Sequence, residues 1–169
     1  MSPDIYCLGF FYAIHFTTIM LWNEKIDLIK NNFSNTEFST PTVKRKAILK
    51  KIETHFIRRP KAYYCLNNFN RPFNNWWEHL KSSETIISGN DFKTYLESSL
   101  EPESLYWIAC EFSDQILVYK SKLEPILDLI ASGQTWTKTF HIIELKYVQM
   151  ISLKVEKENL RIKHTNQAS

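Results

Sequence analysis

Apolar residues recur along the chain in two rhythms, one helical and one alternating. In WNEKIDLIKNN, Trp22, Ile26 and Ile29 fall at helical spacing, with Leu28 nearby. FSNTEFSTP reads as a polar loop. Thr40 and Pro41 then make a helix start, Thr as N-cap and Pro at the first helical position. That helix is predicted to run to about Ile57, with Ile48, Ile52 and Phe56 on one face and Lys44, Arg45, Lys46, Lys50 and Lys51 on the others. Arg58, Arg59 and Pro60 end it. KAYYCL, residues 61–66, has the aromatic content of a short strand. In the next stretch Asn70 can cap, Pro72 sits near the first helical position, and Phe73, Trp76, Trp77 and Leu80 follow at i, i+3, i+4 and i+7. The spacing makes the paired tryptophans the core anchor of an amphipathic helix. A platform that stacks on a ligand is the alternative.

Gly89 and Asn90 suggest a turn, after which Phe92, Tyr95, Leu96 and Leu100 predict a short helix. From Leu105 the period changes. LYWIACEF and QILVYK, separated by Ser113-Asp114, predict an antiparallel hairpin. SKLEPILDLIASG carries a capping box, Ser121 with Glu124, the stripe Leu123, Ile126, Leu127 and Ile130, and Gly133 as a left-handed stop. Residues 138–147 and 148–155 read as two more strands, with NLRIK as a last one and HTNQAS as a fraying tail. Helices precede strands, so the expected class is α+β: N-terminal helices packed on a mainly antiparallel sheet with one inserted helix. The expected organisation is an apolar segment at 1–19, one domain over 20–164 and a tail at 165–169.

Composition narrows the function classes. Of 169 residues, 44% are hydrophobic and 14% aromatic, which excludes a disordered chain. Three glycines are too few for a glycine-rich phosphate loop. Cys7, Cys65 and Cys110 are odd in number, far apart and in apolar settings, as expected of buried free thiols in a reducing, cytoplasmic compartment. Net charge is +3, but unevenly spread: 11 bases and 5 acids over 1–75, 4 and 10 over 76–128, 6 and 3 over 129–169. Residues 5–22 raise a signal-peptide or membrane reading, which the absence of preceding Lys or Arg and the presence of His15, Thr17 and Thr18 weaken. Translation from Met20, or an apolar segment packed on the core, are the other readings.

Catalytic patterns are absent. His15, His55, His79, His141 and His164 form no HxxH, HxxxH or HExxH, and neither GxSxG nor SxxK occurs. No metal, cofactor or catalytic residue is expected, and an enzyme is disfavoured. Two binding readings remain. Lys44, Arg45, Lys50, Lys51, Arg58 and Arg59 form a basic helix 42–61, interleaved with Tyr63, Tyr64 and Phe69, that suits RNA or DNA. Glu97, Glu101, Glu103, Glu111 and Asp114 suit a protein partner with a basic surface, such as a nuclease. For both, a solvated charged face is the plain alternative.

The Trp76-Trp77 helix, the hairpin of Tyr106-Trp107-Ile108 with Val118-Tyr119, the helix of Ile126 and Ile130, and Phe140-His141-Ile142 with Lys146-Tyr147 together resemble a family of small bacterial α+β proteins over roughly 42–155. Such proteins look like immunity proteins of polymorphic-toxin or contact-dependent inhibition systems. The resemblance implies a cytoplasmic protein whose partner is a cognate toxin, with nucleic acid the lesser expectation and no membrane. The net basic charge departs from the acidic balance of many nuclease inhibitors.

Overall fold

In a computed structural model, the structure describes residues 22–40, 45–58, 75–80, 82, 84–88, 91–112, 115–133, 139–156 and 159–166. The expected strand at 61–66 and the apolar segment 1–19 lie outside them. Seven strands form one antiparallel sheet in the order β1-β4-β3-β5-β6-β7-β2. They are β1 (Phe38–Ser39), β2 (Glu84–Ser88), β3 (Tyr106–Phe112), β4 (Gln115–Ser121), β5 (Thr139–Glu144), β6 (Gln149–Glu156) and β7 (Asn159–Asn166). The helices are α1 (22–32), α2 (Arg45–Phe56), α3 (Phe92–Ser99) and α4 (Leu123–Gly133). The α+β class holds, with a three-layer arrangement.

Alternation along the strands explains the layers, because successive side chains point to opposite faces. Ile108 and Cys110 of β3, Phe140 and Ile142 of β5, Ile151 and Leu153 of β6, and Leu160 and Ile162 of β7 face one way. They pack against Trp22, Ile26 and Ile29 of α1, Leu96 of α3 and Ile126 and Leu129 of α4. Each such apolar side chain, removed from water, contributes roughly 1.5–3 kcal/mol. Trp22 also donates from Nε1 to the Tyr119 hydroxyl at 2.9 Å, and Phe38 stacks on the Tyr119 ring at 5.3 Å. The opposite face carries Ala109, Ile116, Val118, Ile143 and Met150 and is covered by Ile48, Leu49, Ile52 and Phe56 of α2.

Several expectations change in detail. The Trp76–Trp77 stretch is a four-residue 3-10 helix, Trp76–His79, not an α-helix. Asn75 before it adopts φ 63°, a left-handed value that Asn tolerates and that closes off a longer helix. Both tryptophans are buried, so the core reading of the pair is right about burial although the helix is not α. Ser121 belongs to β4 and bonds through Oγ to the Lys122 carbonyl, so it is not an N-cap, and Gly133 is the last helical residue of α4. Leu28 is exposed. The polar loop contains β1, which pairs with Ser121 and Lys120, and β2 is an additional edge strand against β7. The last strand reaches Asn166, beyond the expected start of the tail. Among the described residues no helix is long and apolar enough to cross a membrane.

Candidate functional site

The acidic residues singled out in the sequence do not form one surface. Glu97 lies on the exposed side of α3, where it pairs with Lys93 at 3.7 Å. Glu101 and Glu103 follow in the exposed turn after α3. Tyr106 staples this turn: the Glu101 N–H donates to the Tyr106 hydroxyl at 2.9 Å, and that hydroxyl donates to the Glu101 carbonyl at 3.2 Å. Glu103 reaches Lys122 at 2.5 Å. Glu37, which sequence reasoning missed, adds charge at the same Lys122. Ser34 donates to Glu37 from its backbone and hydroxyl, which holds that carboxyl below its ordinary range. The result is a corner built by one end of α3, the following turn and the loop before β1.

Glu111 is elsewhere. It lies five residues beyond Tyr106 along β3, about 17 Å away. Alternation puts it in phase with Trp107 and Ala109, on the α2 face. Its side chain is 11% exposed and fully engaged, so it does not belong to the acidic corner. Asp114 lies outside the described residues.

What Glu111 does instead is close a buried polar relay. Its Oε1 meets His141 Nε2 at 2.5 Å, and His141 Nδ1 meets Ser152 Oγ at 2.7 Å. An ionised carboxylate only accepts, so Nε2–H donates to Glu111. The serine hydroxyl can donate to a neutral ring or accept from a charged one. His141 and Ser152 are wholly buried. Trp76 covers the imidazole with ring centroids 5.3 Å apart. The other Glu111 oxygen accepts the Asn75 N–H at 2.9 Å, and the Trp77 N–H also bonds this carboxylate. Burial pushes the Glu111 carboxyl up, but the hydrogen bond and charge of His141 and the two N–H groups outweigh it, and the net direction is down.

The relay has the residue types of a hydrolytic triad without its geometry. The serine sits in the middle of a strand, wholly buried, and Trp76 covers the histidine beside it, so a substrate carbonyl has no approach. Cys110 is on the opposite face, and burial drives its thiol far up, which suppresses the nucleophilic thiolate. His79 borders a surface cleft of about 270 Å³ with Arg58, Glu78 and Leu80. No group of three or more metal-ligating side chains occurs among the described residues.

Of the basic residues, Lys44 and Arg59 lie outside the described residues, as do Tyr63, Tyr64 and Phe69. Arg45 donates to the Ile116 carbonyl and so ties α2 to β4. Lys50, Lys51 and Arg58 are exposed. The structure adds residues that sequence spacing did not bring together. Tyr147 stacks on His55 of α2 at 5.7 Å, and Lys51 Nζ sits 5.4 Å from its ring centroid. Further along the same sheet face, Lys154, Arg161 and Lys163 surround the Trp77 ring at 5.8, 6.0 and 4.7 Å. Pairings across β6 and β7 place these three side by side, which only the register reveals. Polar residues in phase with apolar ones on buried strands were the available signal for the relay. Compared with known proteins, the chain matches no family model and no curated protein in sequence.

Proposed function

We propose that the protein is a cytoplasmic inhibitor of the immunity type, which binds a cognate toxin domain stoichiometrically and covers its active site or substrate channel. The observation that carries this reading is the acidic corner. Glu101 and Glu103 project from a turn that Tyr106 pins to the rigid sheet, and Glu97 stands on the last turns of α3 just before it, so their charges are presented at little further ordering cost. Carboxylates held this way complement the basic surface with which a nuclease grips phosphates, and they hasten encounter by steering. Elsewhere in the fold, the triad-like set Glu111, His141 and Ser152 is buried and mutually satisfied, which favours binding over catalysis for the protein. Protection against a toxin requires nanomolar affinity or better, about −12 kcal/mol.

The test is capture of the tagged protein from its native cells with nuclease treatment, followed by growth protection against the recovered partner. A single protein at near-equal amounts is the expected result. Replacing Glu97, Glu101 and Glu103 together with Lys should then abolish protection while thermal unfolding stays unchanged. Full protection from a folded triple variant would rule out this siting.

A further inference from the structure

The exposed side of α2 breaks two rules of helix stability, and of the bases that open it only Arg45 has a structural task, its bond to the Ile116 carbonyl. Its first turn holds no acid, although the helix dipole favours one there, and instead begins Arg45-Lys46. Lys46 and Lys50 are four residues apart, where like charges repel. The single acid of the helix, Glu53, is buried. Lys30, Lys93, Lys122, Lys154 and Arg161 each have a carboxylate within ion-pair distance. Among the described residues, none pairs with Lys46, Lys50, Lys51 or Arg58.

A second irregularity adjoins this comb of charge. The β5–β6 hairpin turns through a hydrogen bond from the Tyr147 N–H to the Glu144 carbonyl at 2.8 Å, and Tyr147 itself takes φ 59°. Glycine is the usual residue at such a position, and a bulky side chain there stores strain. The strain lays the Tyr147 ring against His55 and Lys51, half-buried at the rim of the basic face, with exposed Lys146 next in sequence.

We propose that this face, Lys46, Lys50, Lys51 and Arg58 with the Tyr147–His55 pair, binds single-stranded nucleic acid, the cations on phosphates and the rings on bases. Lysines suit this ligand as point charges. Arg58 adds the paired donors that fit a phosphate. Exposed cations at 46, 50, 51 and 58 line α2 and its C-terminal end and can neutralise successive phosphates, and the aromatic ring beside them offers any base a stacking surface. The surface is separate from the acidic corner: α2 covers one face of the sheet and α3 lies on the other.

Fluorescence anisotropy with a labelled uridine 20-mer tests the assignment, with polyglutamate as a second titrant. The expected Kd is about 10 µM or tighter at 50 mM salt, with a log–log salt slope of about 2 to 3 for the four cations. Replacing Lys46, Lys50 and Lys51 with Glu should weaken binding by tenfold or more and flatten that slope. The milder Lys46→Gln/Lys50→Gln variant guards against misfolding and should show the same direction. Tyr147→Gly, which removes the ring and the strain together, should weaken binding about tenfold at an unchanged slope. Glu97→Lys should leave uridine binding no weaker. Absence of binding at 50 mM salt, indifference to lysine reversal, or polyglutamate binding as tightly as the oligonucleotide would each overturn the proposal. The growth-protection assay is read independently, so the failure of either surface leaves the other standing.

Discussion

On the side of α1, α3 and α4, strands β3, β5 and β6 present Ile108, Phe140, Ile142, Ile151 and Leu153 to a continuous apolar layer. On the side of α2, the same three strands present Glu111, His141 and Ser152. The first layer is held chiefly by burial, which is strong and non-directional, with the Trp22–Tyr119 hydrogen bond as a directional addition. The second needs a specific registry, because three polar groups must find one another in a space that admits little water. A buried relay of this kind adds little net stability, since desolvation offsets most of the gain. It strongly penalises any arrangement that leaves a member unpaired. The polar side is also where the Trp76–Trp77 segment docks, through two backbone N–H groups on Glu111. The dry layer therefore supplies stability, and the polar one fixes where an irregular segment sits.

Four predictions sharpen or break this contrast. Phe140→Ala, in the dry layer, should give the largest loss, about 3–5 kcal/mol by chemical denaturation, because it opens a cavity in close-packed surroundings. His141→Leu should cost about 3 kcal/mol by stranding Glu111 and Ser152. The triple change Glu111→Leu, His141→Leu and Ser152→Ala should recover most of that loss. A triple variant as unstable as the single one would mean that the relay is a net stabiliser, and the contrast drawn above would fail.

The third is a pH effect. The folded Glu111 carboxyl titrates below its ordinary value of 4.5, so its contribution is fully present above that pH and is lost as pH falls through the lower folded value. Thermal unfolding followed downward from pH 6 should show a decline that Glu111→Gln reduces, relative to its own stability at pH 6. Equal declines in the two proteins would remove Glu111 as the cause. The smallest effect belongs to the surface. Lys46→Glu should raise stability by about 0.3–1 kcal/mol through the helix dipole, while weakening nucleic-acid binding. A destabilised Lys46→Glu protein would mean that Lys46 has a structural task.

Much of the fold was legible in the sequence because its strongest signals are local. The Ile48, Ile52, Phe56 stripe lies within one helix and its burial follows from spacing alone. The alternation of β3 through β6 was readable for the same reason. Two strands were not. β1 is two residues long inside a polar loop, and β2 carries Ile86 exposed at the sheet edge, so neither has the periodicity that burial imposes. Four-residue spacing at Phe73, Trp76, Trp77 and Leu80 suggested an α-helix, but docking on Glu111 sets the geometry of this segment more strongly than its own propensity. The acidic corner was half legible. Glu97, Glu101 and Glu103 are close in sequence and remain close in space, whereas Glu111 was carried to the other face by the pleat.

Pattern and composition by themselves determined the α+β class, most of the helices and strands, the burial of both tryptophans and the concentration of basic charge on α2. Each of these follows from neighbours within a few residues, where backbone geometry alone dictates which side chains share a face. The Glu111–His141–Ser152 relay, the Tyr147–His55–Lys51 contact and the cations around Trp77 were decided by the tertiary structure. The contacts that define them join residues 11 to 96 apart in sequence. They meet only because the sheet pairs particular strands in one register and α2 packs across them. A one-residue slip of any of these strands would turn its own members of the clusters to the opposite face and so break the contacts.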